Sequence, residues 1–153
     1  MPPEKLSDDE MAAWRGFLRA HSTITRNMSR HLEEIEAITL SEYEVLLNLA
    51  QRSGTQASMT DLAESVLLTP SGLTRLVDRL AARGYVERTR CGEDRRRSWA
   101  TLTPTGEAAY RRAGRVHLDD IRRQFVDRLT PTEHATLARL WAKVGAPQLP
   151  IRT

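Results

Sequence analysis

This chain is short of several things, and each shortage excludes something. It has one cysteine, Cys91, in 153 residues. No disulfide can form within the chain, which suits a reducing cytoplasm. No apolar run approaches the roughly 20 residues that span a bilayer. The opening MPPEKLSDDE lacks the basic-then-apolar pattern of a secretion signal, so the expected location is cytoplasmic. Internal repeats and low-complexity tracts are absent. So are a phosphate-binding glycine loop, a dinucleotide fingerprint and an HExxH pair, and the glycines fall at helix ends and turns. Neither His21 nor His31, near the apolar side of the first helix, pairs with a metal-like Cys, Asp or Glu spacing. Enzymatic chemistry, a cofactor and a metal are therefore not expected. Lysine is scarce too: Lys5 and Lys143 are the only two, and arginine supplies the rest of the positive charge.

What is present points to an ordered domain with a basic middle. Hydrophobic residues make up 40 %, too many for a disordered chain. The length suits a single domain with its own core. The net charge of +3 is unevenly spread. Residues 1–50 hold nine acids and five bases, net −4. Residues 51–100 hold six acids and nine bases, net +3, and residues 101–153 hold five and nine, net +4. Positive charge begins near residue 51 and continues to the end.

The segment from Thr69 to Gly106 carries most of the information. Thr69-Pro70 opens a helix: a hydroxyl can take a free N–H, and proline at the first helical position loses no bond. Leu73, Leu76, Val77 and Leu80 recur at helical spacing and form the buried face. Ser71, Thr74, Arg75, Asp78, Arg79 and Arg83 fall opposite. Gly84 ends the helix. Tyr85 to Arg90 reads as a strand with Val86 inward. Cys91 to Arg97 is a charged turn, and Ser98 to Leu102 is the returning strand, with Ala100 and Leu102 on one face. Upstream, Ser58 to Val66 reads as a short helix capped by Ser58 or Thr60. Leu67-Leu68 turns it into the next helix, and Leu62, Ala63 and Val66 pack under Leu73 and Leu76. Two short helices and a hairpin with an arginine-loaded tip make a winged helix-turn-helix.

The side chains suit double-stranded DNA. Arginine pairs bidentately with guanine, and serine and threonine bond to bases or phosphates. The run Arg95-Arg96-Arg97 at an exposed tip suits phosphates or a narrow minor groove. Taken alone, that run reads as a solvated basic turn. The preceding helix makes the difference.

The stretches SEYEVLLNLA, MTDLAESVLLTPSGLTRLVDRLAARGYVER and EDRRRSWATLTPTG resemble the MarR family of transcriptional regulators. The last matches the family's wing signature through Asp94, Arg96, Leu102, Thr103 and Gly106. The resemblance implies that Ser71, Thr74, Arg75 and Arg79 face the major groove. It also implies that Asp94 braces the wing through ion pairing and that Arg96 or Arg95 enters the minor groove. Ser98 stands where the family usually has an aliphatic residue, with Trp99 beside it.

The expected fold is mostly α with a small β-hairpin wing, a single MarR-like domain over residues 1–153. The winged helix-turn-helix covers 41–102, and helices in 7–36 and 103–145 serve dimerisation. Ser7-x-x-Glu10 and Ser41-x-x-Glu44 read as capping boxes, and Thr130-Pro131-x-Glu133 caps the last helix. The first helix carries the stripe Met11, Trp14, Leu18, His21, Ile24, Met28, Leu32 and Ile35. A small reading unit covers few base pairs alone; the resemblance implies a homodimer on a palindromic operator, the alternative being a monomer whose end helices cover the core. The resemblance further implies a small, often aromatic effector, walled by Trp14, His21, Tyr43, Tyr110 and His117. Taken alone, each of these reads first as a core or interface packing residue. Two alternatives remain open. One is a redox response through Cys91, beside Arg90. The other is a protein-binding winged helix, which the arginine-rich wing opposes.

Overall fold

The computed structural model describes residues 5–66, 70–90 and 98–145. Its first helix, α1 (Asp8–Glu36), starts at the expected box: the Glu10 backbone N–H donates to the Ser7 hydroxyl, and Glu10 accepts the Ser7 N–H. The second, α2 (Leu40–Ala50), starts two residues earlier than the sequence suggested. Thr39, not Ser41, is its cap, and Glu42, not Glu44, closes the box. Both pairs have the required spacing. On this helix Glu42, Tyr43, Val45, Leu46 and Leu49 are buried while Glu44 stays exposed.

A short strand β1 (Gln56–Ser58) follows, then α3 (Met59–Ser65), capped by Ser58, whose hydroxyl accepts the Asp61 N–H. The recognition segment is α4 (Pro70–Ala82), followed by β2 (Val86–Arg90) and β3 (Ser98–Leu102). The strands form an antiparallel sheet in the order β1-β3-β2. Ala57 stands opposite Ala100 and Val86 opposite Leu102. Strand β1 was not foreseen. Three residues ending in a helix cap carry no alternation to read. The long α5 (Pro104–Gln124) and α6 (Pro131–Val144) complete the chain.

Two compact units result, one up to His117 and one from Leu118. The first holds the aliphatic core. Leu46 and Leu49 of α2, Leu62 of α3, Leu73, Val77 and Leu80 of α4, and Ala100 of β3 are all essentially sealed from solvent. Ala109 and Ala113 of α5 join the same core, as does Tyr43. The apolar stripe of α1 behaves differently along its length. Met28 and Leu32 are buried, whereas Trp14, Leu18 and Ile35 are about half exposed, Trp14 at 53 %. The second unit contains α6, whose capping box is the expected one: Glu133 accepts the Thr130 N–H at 2.7 Å. It too leaves Leu140, Trp141 and Val144 exposed. No helix among the described residues is long and apolar enough to cross a membrane.

One joint fixes the sheet to α5. The Thr103 hydroxyl donates to the Gly84 carbonyl at 2.7 Å and accepts the Gly106 N–H at 3.0 Å. Gly84 has φ +71°, a conformation that favours glycine. Gly106 is required for another reason. A Cβ there would fall inside the Tyr85 carbonyl oxygen and 2.9 Å from Leu102 Cδ1. The Leu-Thr-x-x-Gly run is therefore the seam where the hairpin meets the following helix.

Candidate nucleic-acid interface

Helix α4 divides cleanly. Leu73, Leu76, Val77 and Leu80 are buried, and Ser71, Thr74, Arg75, Asp78 and Arg79 are exposed. Ser71, Thr74, Arg75 and Asp78 are spaced to share one face. Arg75 has no hydrogen bond or ion-pair partner among the described residues. An exposed guanidinium of that kind is available to an anionic or base-edge acceptor.

The hairpin is tied to this face at its root. Arg88 of β2 forms an ion pair with Asp78 of α4. It also donates to the Ser98 hydroxyl of β3 at 3.1 Å. That bond accounts for a serine where an aliphatic residue is usual: its hydroxyl accepts from an arginine that bridges helix and sheet. The tip itself, with Cys91, Asp94, Arg95, Arg96 and Arg97, lies outside the described residues, as do Leu67, Leu68 and Thr69.

Arg79 is exposed but engaged. Its Nε donates to Glu42 Oε1 at 3.2 Å. Arg83, one turn on, lies 3.7 Å from Glu42 Oε2 and donates to the Ala37 carbonyl at 2.7 Å. These groups line an open cleft of about 540 Å³ together with Glu33, Thr39 and Ala82. Glu42, Arg83 and Arg88 were not singled out from the sequence as site residues. The signal for Glu42 was present in Thr39-x-x-Glu42, but Ser41-x-x-Glu44 competes with it.

The five residues expected to wall a ligand pocket separate into two groups. Tyr43, Tyr110 and His117 come together: the Tyr43 ring stacks on Tyr110 at 5.9 Å and meets His117 at 4.7 Å. Burial pushes the Tyr43 phenol up to about 12, with a smaller contribution from Tyr110. Trp14 and His21 instead flank Phe17 on the exposed side of α1, at 5.8 and 6.2 Å from its ring. Helical spacing put all five on apolar faces but could not say which faces meet. Among the described residues, no cluster of three or more His, Cys, Asp or Glu could hold a metal ion.

Comparison with known proteins agrees with this geometry. A family model described as the MarR family matches residues 38–97. An HTH-type transcriptional regulator of Bacillus cereus is 33 % identical over 131 residues, 86 % of this chain and 85 % of that protein. Among solved structures, AbsC, a MarR family transcriptional regulator from Streptomyces coelicolor, is 30 % identical. It superposes with a TM-score of 0.82 over 92 % of this chain and 95 % of its own. Sco3205, another MarR family regulator from that organism, was solved in complex with DNA. It is 30 % identical, with a TM-score of 0.85 over 99 % of this chain and 95 % of its own. The chain belongs to the MarR family of winged-helix transcription regulators, which bind DNA and are not enzymes.

Proposed function

We propose that this regulator is a repressor that binds a palindromic operator as a homodimer, and that a small aromatic ligand modulates its affinity. The observation that carries the reading is Arg75, exposed on the α4 face and without a partner among the described residues, beside a hairpin root fixed by Asp78 and Arg88. Ser71, Thr74 and Arg75 read base edges. Arg95, Arg96 and Arg97 neutralise backbone phosphates or enter the minor groove. Arg79 stands at the edge of that face, held on Glu42.

A second copy of this chain is the partner that suits the exposed apolar residues of α1 and α6. Trp14, Phe17, Leu18, Leu140 and Trp141 are too many large apolar groups to leave in water without purpose. Twofold pairing would set two α4 helices on half-sites about one helical turn apart. The cluster of Tyr43, Tyr110 and His117 offers aromatic walls and polar tips, as small-molecule sites do.

Selection of bound sites from a random duplex library at moderate salt tests this. Enrichment of a palindrome with half-sites about 10 base pairs apart is expected. Salt-sensitive binding to all duplexes without enrichment would contradict the sequence-specific reading.

A further inference from the structure

One buried charge plays no part in the DNA contacts just described. Glu42 is only 4 % exposed, and a carboxylate is seldom buried so deeply unless it is paired. Its partners come from separate elements. Oε2 accepts the Thr39 N–H at 2.9 Å, at the start of α2. Oε1 accepts Nε of Arg79, from α4, at 3.2 Å. Arg83, just past the end of α4, places Nη1 3.7 Å from Oε2 and donates from the same nitrogen to the Ala37 carbonyl, where α1 ends. The guanidinium of Arg83 also lies over the Tyr85 ring at 4.6 Å and donates to its hydroxyl at 3.2 Å. A single carboxylate thus joins the end of α1, the start of α2 and the last turns of α4.

The inner face of α4 is aliphatic throughout: Leu73, Leu76, Val77 and Leu80. Apolar burial is non-directional. It turns one face of a helix inward, and directional bonds, here those to Glu42 together with the Asp78–Arg88 pair, refine its rotation. Hydrogen bonds are directional. Arg79 and Arg83 stand four residues apart and therefore on one side of the helix.

We infer that Glu42 is a positioning residue for DNA reading. Through Arg79 and Arg83 it sets the rotation of α4, and so the aim of Ser71, Thr74 and Arg75 at base edges. The inference rests on the DNA-reading proposal above. It assigns Arg79 to Glu42 rather than to a phosphate.

The test uses the full chain and two duplexes of equal length, one recovered by the selection and one scrambled. Affinity for each is measured by fluorescence anisotropy over a range of salt, with circular dichroism to establish that every variant is folded. Glu42→Gln keeps an acceptor for the Thr39 N–H but removes the charge. The preference for the selected duplex should fall about tenfold, comparable to losing one base contact. Binding to the scrambled duplex should tighten, with a log–log salt slope steeper by about 1 to 2, because two arginines lose their counter-charge. Arg79→Gln should lower the preference without steepening the slope. A folded Glu42→Gln protein with the parent's preference and slope overturns the inference. So does proportional weakening on both duplexes, which is what a role confined to stability would give. A parent that does not distinguish the duplexes overturns the DNA-reading proposal and this inference with it, and that result is visible before any variant is made.

Discussion

Replacing Gly106 with alanine adds one methyl group at the seam between hairpin and α5. Two opposing effects can be weighed. Glycine inside a helix costs up to about 1 kcal/mol relative to alanine, so propensity alone favours the change. Against it, the new Cβ would overlap the Tyr85 carbonyl oxygen, 2.8 Å from its carbon and 2.9 Å from Leu102 Cδ1. Backbone cannot swing aside as a flexible side chain can, so α5 must retreat. Retreat stretches the Thr103 N–H bond to the Tyr85 carbonyl, now 3.1 Å, and the Thr103 hydroxyl bond to Gly84. Each such bond is worth about 1 kcal/mol, and overpacking adds about 1–3 kcal/mol. After the propensity gain, the net loss is about 2–4 kcal/mol. Urea unfolding at fixed protein concentration should show the midpoint falling by about 1 M or more. Gly114→Ala is the control. Its Cβ would meet the Tyr43 hydroxyl at an ordinary 3.6 Å, so that variant should keep or slightly raise stability. If Gly106→Ala proved as stable as the parent, the seam would not be built as described.

Other predictions follow from single groups. Burial pushes the pKa of the Tyr43 phenol up to about 12. A folded pKa above the usual 10.0 gives stability that is complete below pH 10 and lost as pH rises towards 12. Absorbance titration should show Tyr43 still largely un-ionised at pH 11, and Tyr43→Phe should remove that late step. Glu10 and Glu133 are pulled below the usual carboxylate range by the bonds they accept from Ser7 and Thr130. A depressed pKa gives stability present above about pH 4.5 and lost as pH falls further, so the first turns of α1 and α6 should fray in acid. Site-resolved hydrogen exchange at pH 3.5 and 6 checks this. Arg96→Ala should weaken binding to all sequences alike and lower the log–log salt slope by about 1.

Much of this architecture was legible because it rests on local signals. The Ser7 and Thr130 boxes, Pro70 and Pro104 at helix starts, and the 3.6-residue recurrence of Leu73, Leu76, Val77 and Leu80 each mark an element without reference to the rest of the chain. The strands at Val86 and Ser98 were legible from their bounding turn. Strand β1 was not, because it exists only through pairing with β3. The start of α2 was read from Ser41-x-x-Glu44, whereas Thr39 caps it and the Glu42 of its box is buried. The same burial hid the Arg79 and Arg83 pairing, which joins residues 37 and 41 positions away from Glu42. The family resemblance, not helical spacing, grouped Trp14 and His21 with Tyr43; on α1 they flank Phe17 on the exposed side.

The central claim is that α4 reads base edges through Arg75. The most direct measurement compares parent and Arg75→Ala on the selected duplex and on its complete set of single base-pair changes. The parent should lose about 1–3 kcal/mol on changing one base pair in each half-site, and Arg75→Ala should become indifferent to that pair while keeping its other preferences. An Arg75→Ala protein that retained the parent's preference at every position would contradict the account.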